Sequence, residues 1–128
     1  MSNNIFENID KQEFEQSVKR LKNNEVILMK FTAEWCGPCK TIKPLCDSIV
    51  SKFTDNMYYI ENDIDEALDL YLFFKKQKIV NGIPALYLYY GNENRKNDPK
   101  WYLPDYSVSG IDKNALNVLQ ANLNKYIK

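Results

Sequence analysis

Polar and apolar positions along the chain follow two periods, and the switches between them mark out the elements. Asp10 with Glu13 forms a capping-box signature, and Phe14, Val18 and Leu21 then recur along one helical face. Val26 to Thr32 is a near-continuous apolar run, the pattern of a central strand covered on both faces. From Pro38 to Phe53 the spacing becomes helical again, with Ile42, Leu45, Cys46, Ile49 and Phe53 in one stripe; Pro44 inside it lacks a backbone N–H and predicts a kink. Met57 to Asn62 reads as a strand, Asp65 to Lys78 as a helix, Ala85 to Tyr90 as a strand and Ser107 to Ser109 as the end of another. Asp112 opens a last helix that turns Leu116, Leu119, Leu123 and Tyr126 to one side. Helices alternating with strands imply an α/β fold.

Length and charge narrow the picture further. At 128 residues the chain is expected to form a single domain, 1–128. Lys plus Arg and Asp plus Glu balance at 17 each, so no net field draws the protein to nucleic acid or to an anionic membrane. Met1 to Asn4 lacks the basic and apolar regions of a leader, the residues from Asn124 to Lys128 resemble no retention signal, and no apolar run approaches a membrane span. The expectation is a cytoplasmic protein with protein partners.

Chemistry concentrates at Trp35-Cys36-Gly37-Pro38-Cys39-Lys40. Two cysteines separated by two residues at the head of a helix can switch between a dithiol and a short-loop disulfide. The reactive species is the thiolate, and the unpaired N–H groups and dipole of a helix N-terminus favour it. Pro38 suits the first turn, where its missing donor would go unused anyway. On this reading Cys36 is the exposed nucleophile and Cys39 the inner, resolving thiol. Structural zinc needs four ligands, and the chain holds three cysteines and no histidine.

The stretch Ala33-Glu34-Trp35-Cys36-Gly37-Pro38-Cys39-Lys40 resembles the active-site segment of the thioredoxin family, and Asn81-Gly82-Ile83-Pro84-Ala85-Leu86 resembles the loop where that family carries a cis-proline facing the dithiol. The resemblance runs from about Ile5 to Lys128. It implies the thioredoxin fold, three layers with a central mixed β-sheet flanked by helices, and a protein disulfide reductase, a thiol-disulfide oxidoreductase with catalytic Cys36 and Cys39. Trp35, Gly37, Pro38, Ile83, Pro84 and Gly110 would form a shallow groove for substrate. It further implies no bound cofactor, disulfide-containing protein substrates, a monomer, and reduction by an external NADPH-dependent flavoprotein similar to thioredoxin reductase. Disulfide isomerases usually carry histidine where Pro38 stands, which disfavours an oxidase or isomerase.

Three departures from the family pattern are informative. Where thioredoxins bury an aspartate on the strand before the dithiol, this chain has Lys30; where they place a lysine on the neighbouring strand, it has Glu61. Alternation puts Lys30 and Glu61 on one face of the sheet, where each would be costly to bury alone and the two together can be satisfied. In that geometry Lys30 would stabilise a thiolate when protonated and accept the Cys39 proton when neutral; alternatively it reaches the sheet's edge and touches no sulfur. The second departure is an insertion, about 91–106, between the last two strands. Its half rich in large side chains, Trp101, Tyr102, Leu103 and Tyr106, needs a surface to pack on, so it either extends the core over an edge strand or docks a partner. The rival function follows from it: a thioredoxin-fold binding or scaffold subunit that works through this insertion, with the dithiol incidental. The third departure is Cys46, whose place on an apolar stripe predicts a packed thiol.

Overall fold

The computed structural model describes residues 4–128. Five strands, β1 (Ile5–Glu7), β2 (Val26–Thr32), β3 (Met57–Asp63), β4 (Ala85–Tyr90) and β5 (Tyr106–Ser109), form one sheet in the order β1-β3-β2-β4-β5. β1, β3 and β2 run parallel, whereas β4 and β5 are antiparallel to their neighbours, so the sheet is mixed. Four helices, α1 (Lys11–Arg20), α2 (Gly37–Val50), α3 (Leu68–Lys76) and α4 (Lys113–Asn124), cover it.

The period of two along β2 divides the core. Ile27, Met29 and Phe31 join Phe14 of α1 and Leu70 and Phe74 of α3 on one side. Val26 and Leu28 join Ile42, Cys46 and Ile49 of α2 and Leu116, Leu119 and Leu123 of α4 on the other. Lys30 shares the parity of Leu28 and therefore points to the α2 side, where it keeps only 2% of its surface exposed.

Local chemistry sets the element ends. Asp10 and Glu13 make the capping box of α1 as the sequence predicts. α3 starts later than expected, at Leu68, because Asp63 first organises a turn: its backbone carbonyl accepts the N–H of Ala67 and its carboxylate that of Asp65. α3 ends before Lys78, whose φ of 60° is left-handed and cannot continue a helix. α2 runs without a break through Pro44. Leu45, expected on its apolar stripe, is 38% exposed; Val50 takes the inward place with Ile42, Cys46 and Ile49. β1 has no counterpart in the sequence reading, because its three residues are all exposed and show no alternation.

The segment between β4 and β5 folds back onto the α1 and α3 side. Trp101 is buried, stacked on Phe73 at 5.9 Å and tilted against Phe14 at 6.1 Å. Arg95, also buried, donates from Nη1 to the carbonyls of Trp101 and Leu103 and from Nη2 to Asp105, and its guanidinium lies over the Tyr89 ring. Trp101 and Tyr102 thus extend the core as one of the two expectations held, but they pack on α1 and α3 rather than over an edge strand, and Leu103 stays exposed. Tyr106 belongs to β5, opposite Leu88.

Candidate functional site

β2 ends at Thr32 and delivers the chain to a turn in which the Cys36 N–H donates to the Ala33 carbonyl. Cys36 then caps α2: its backbone is extended and its Sγ accepts the N–H of Cys39 at 3.2 Å, satisfying one of the orphan donors of the first turn. Pro38 lies within that turn. Cys36 and Cys39 are joined as a disulfide with their Cα atoms 5.3 Å apart, an ordinary span for such a bond. Cys36 is less exposed than its expected role as an open nucleophile implies. It retains 5% of its surface, Cys39 2%, so the order of access is as expected but the sulfur is shielded.

The shield comes from across the site. The Ile83–Pro84 peptide is cis, and the Ile83 carbonyl oxygen lies 3.8 Å from Cys36 Sγ. The Pro84 carbonyl accepts the N–H of Gly110, whose φ of +68° aims that donor back at the loop and suits glycine. Gly37 faces open space, and Trp35 is 65% exposed with its indole Nε1 donating to Asp65 at 2.8 Å. The structure therefore brings Ile83 to the dithiol and ties Pro84 to Gly110, while Trp35 precedes the cysteines in sequence and Gly37 and Pro38 lie between them. Asp65, which fixes the Trp35 ring, was not a sequence candidate; nothing in its local pattern links it to a residue 30 positions earlier.

Behind the dithiol the reversed charges meet. Lys30 and Glu61 are register partners on β2 and β3, and Lys30 Nζ lies 3.6 Å from Glu61 Oε1. The same oxygen accepts the Tyr59 hydroxyl at 2.7 Å. Burial, with the Glu61 charge beside it, pushes the Tyr59 phenol far above its ordinary range, so it is a permanent donor here. Alternation in the sequence already puts Tyr59 on the face of Glu61, but it gave no sign of the hydroxyl's bond to that carboxylate. Lys30 is buried and Glu61 is 28% exposed, so the pair spans from the sheet's interior to solvent. A cleft of about 750 Å³ contains Lys30, Glu61 and Cys39 in its wall. Cys46 is buried as expected, and burial pushes its thiol up against the opposing pull of Lys30. Among the described residues no cluster of three or more His, Cys, Asp or Glu is placed to hold a metal ion, and no helix is long and apolar enough to cross a membrane.

Comparison with known proteins places this geometry. Residues 5–100 match the Thioredoxin family. Thioredoxin of Acidithiobacillus ferridurans is 36% identical over 69 residues, covering 54% of this chain and 60% of that protein. Thioredoxin of Gallus gallus is 41% identical over 58 residues, covering 45% and 53%. The chain spans about half the length of the curated relatives it matches. The fold matches reduced Schistosoma mansoni thioredoxin pre-protein (TM-score 0.66, 20% identity, 98% of this chain and 100% of that one) and Plasmodium falciparum thioredoxin (0.64, 24%, 91% and 96%). With the family matched across three quarters of its length and a Cys36–Cys39 disulfide at the head of α2, the chain belongs to the thioredoxin family.

Proposed function

We propose that this protein is a protein disulfide reductase that works by thiol-disulfide exchange. The observation that carries the reading is the Cys36–Cys39 disulfide at the N-terminus of α2, facing the Ile83–Pro84 peptide. In the reduced form the Cys36 thiolate attacks one sulfur of a substrate disulfide, forming a mixed disulfide and releasing the other sulfur as a thiolate. The Cys39 thiolate then attacks Cys36 Sγ, closes the Cys36–Cys39 bond and expels the second substrate sulfur. Two electrons pass to the substrate, and its two thiolates take up the two protons that the cysteines gave up. Free N–H groups at the helix start favour the Cys36 thiolate in the ground state.

An extended substrate segment would lie along Trp35, Gly37, Pro38, Ile83, Pro84 and Gly110, paired to backbone rather than to chosen side chains, which suits a reductase of varied proteins. One chain carries both thiols, so a monomer suffices. Return to the dithiol needs an external donor, for which an NADPH-dependent flavoprotein is the choice implied by the family. A cytoplasmic location belongs to the same proposal, because a reductase needs a compartment whose donors keep its dithiol reduced. The inward packing of Trp101 and Arg95 supports this reading over a scaffold that works through the 91–106 segment.

Turnover of a disulfide-bonded protein such as insulin, with dithiothreitol as electron source, tests the proposal. The wild type is expected to accelerate reduction and Cys36→Ser to lose the effect; full acceleration by Cys36→Ser would overturn it.

A further inference from the structure

The loop that carries the Ile83–Pro84 peptide contains Asn81 followed by Gly82, the one place in the sequence where asparagine precedes glycine. An asparagine side chain ends in an amide close to its own main chain, and the backbone nitrogen of the next residue can reach its Cγ and close a cyclic imide. Two things normally oppose this. The side chain of the following residue crowds the approach, and hydrogen bonds hold the amide or the attacking N–H in place.

Neither obstacle exists here. Gly82 has no Cβ, and nothing lies within 4 Å of where one would be. Both residues are exposed in a bend between α3 and β4. Among the described residues, neither the Asn81 side chain nor the Gly82 N–H makes a hydrogen bond. Other asparagines are tied down. Asn8 Oδ1 accepts the Asp63 N–H, Asn62 Oδ1 accepts that of Ile9, Asn92 Oδ1 accepts that of Asn94, and Asn56 Nδ2 donates to the Asn24 and Tyr126 carbonyls.

We propose that Asn81 is a site of spontaneous covalent modification, losing its side-chain amide to give isoaspartate and aspartate, and that the isoaspartate form works more slowly as a reductase. The chemistry does not depend on the reductase reading above; its effect on turnover rests on it. The Gly82 nitrogen gives its proton to a base in solvent and bonds to Asn81 Cγ. The bond from Cγ to the side-chain nitrogen breaks, and that nitrogen takes a proton from solvent and leaves as ammonia. Water then opens the imide. Opening at the main-chain carbonyl leaves the chain running through Cγ, which is isoaspartate; opening at Cγ restores the ordinary path as aspartate. One water is consumed, one ammonia is released, and no electrons are transferred.

Isoaspartate adds one carbon to the main chain, in a segment pinned at both ends. Ile79 donates its N–H to the Phe74 carbonyl and accepts the Tyr87 hydroxyl, and Val80 is buried. At the other end the Pro84 carbonyl accepts the Gly110 N–H, and Ala85 begins β4. Neither anchor can slide to take up the added atom, so the loop between them bulges. The Ile83 carbonyl, 3.8 Å from Cys36 Sγ, moves with it. Aspartate keeps the main chain at its length and adds only an exposed charge that water screens.

The test stores wild type, Asn81→Gln, Gly82→Ala and Asn81→Asp in the folded disulfide form at physiological temperature and samples them over weeks. Tandem mass spectrometry follows each asparagine, an isoaspartyl methyltransferase counts isoaspartate, and insulin reduction measures turnover. Asn81 should be lost roughly tenfold faster than the other asparagines, and Gly82→Ala should slow that loss by a similar factor although the methyl fits. Asn81→Gln should gain no isoaspartate at this position. Fresh Asn81→Asp should turn over within about twofold of wild type. Aged wild type should lose turnover in proportion to its isoaspartate, and treatment with the methyltransferase and S-adenosylmethionine, which returns isoaspartate through the imide towards aspartate, should restore it. Loss of Asn81 no faster than that of the other asparagines would overturn the site. Full turnover by protein that is mostly isoaspartate at position 81 would overturn its consequence. Fresh wild type that fails to reduce insulin would overturn the reductase reading, while the mass of the Asn81 peptide still decides the modification.

Discussion

Replacing Trp101 by alanine tests whether the segment between β4 and β5 is part of the core or a loose surface loop. The indole is 6% exposed, stacks on Phe73 and packs against Phe14 and Tyr102, with Lys19 Nζ 5.8 Å from its ring centroid. A tryptophan buries roughly 200 Å², which at about 25 cal/mol per Å² is roughly 5 kcal/mol. Partial burial in the unfolded chain reduces this to about 3.5 kcal/mol, and the lost ring contacts add back about 0.5 to 1. The expected loss is therefore about 4 kcal/mol, within the usual span of about 3 to 5 for such truncations. Against a whole-domain stability of about 6 to 19 kcal/mol for a chain of 128 residues, the variant should still fold, with its thermal midpoint lowered by roughly 12 to 20 °C. Urea titration followed by far-ultraviolet circular dichroism measures this without relying on the removed fluorophore. Leu103→Ala, 45% exposed, is the control and should change stability by less than about 0.5 kcal/mol. β4 carries the chain about 17 Å from Pro84 before the segment begins, so turnover by folded Trp101→Ala should match wild type. A loss of stability below about 1 kcal/mol, or slower turnover under conditions where the variant is folded, would refute the reasoning.

Three further outcomes follow from individual groups. Cys46→Ala should leave turnover within about twofold of wild type, and Cys46 should resist alkylation in the folded protein, because its thiol is buried and held in the protonated form; rapid labelling would contradict its packed position. Gly110→Ala should cost about 1 kcal/mol in urea titration, since φ is +68° although the space for a methyl is open; Gly110→Asn should cost less, and a neutral alanine variant would refute the backbone argument. Tyr59, Tyr87 and Tyr89 are all pushed above 10.0, chiefly by burial, so the folded state prefers the protonated phenols. Their contribution is fully present below pH 10.0 and is lost as pH rises beyond it, when the unfolded chain ionises first; tyrosinate absorbance should appear together with unfolding, and titration of all nine tyrosines in a folded protein would contradict this.

The parts of the site that follow from adjacency were legible in the sequence. The dithiol, the proline in its first turn and the strand that delivers it are contiguous, and Pro84 announced itself through a second local segment. The Lys30–Glu61 contact was also legible, because period-two parity in two apolar strands puts both side chains on one face. What escaped depends on distant partners. Arg95 sits in the polar half of the insertion, yet it is buried because its guanidinium is used by carbonyls six and eight residues later and by Asp105, a pattern that no periodicity encodes. Asp65 orients Trp35 through a turn built by Asp63, and β1 exists only because β3 offers a parallel edge to three exposed residues. Leu45 was misplaced because a stripe drawn from spacing alone admits neighbours on both borders of the buried face.

The division of labour between the two cysteines is tested most directly by trapping. Reduced Cys39→Ser is mixed with disulfide-bonded insulin, the thiols are quenched, and the adduct is mapped by mass spectrometry. The mechanism predicts a mixed disulfide on Cys36 that persists until dithiothreitol is added, and none in Cys36→Ser. A stable adduct on Cys46, or none on Cys36, would contradict it.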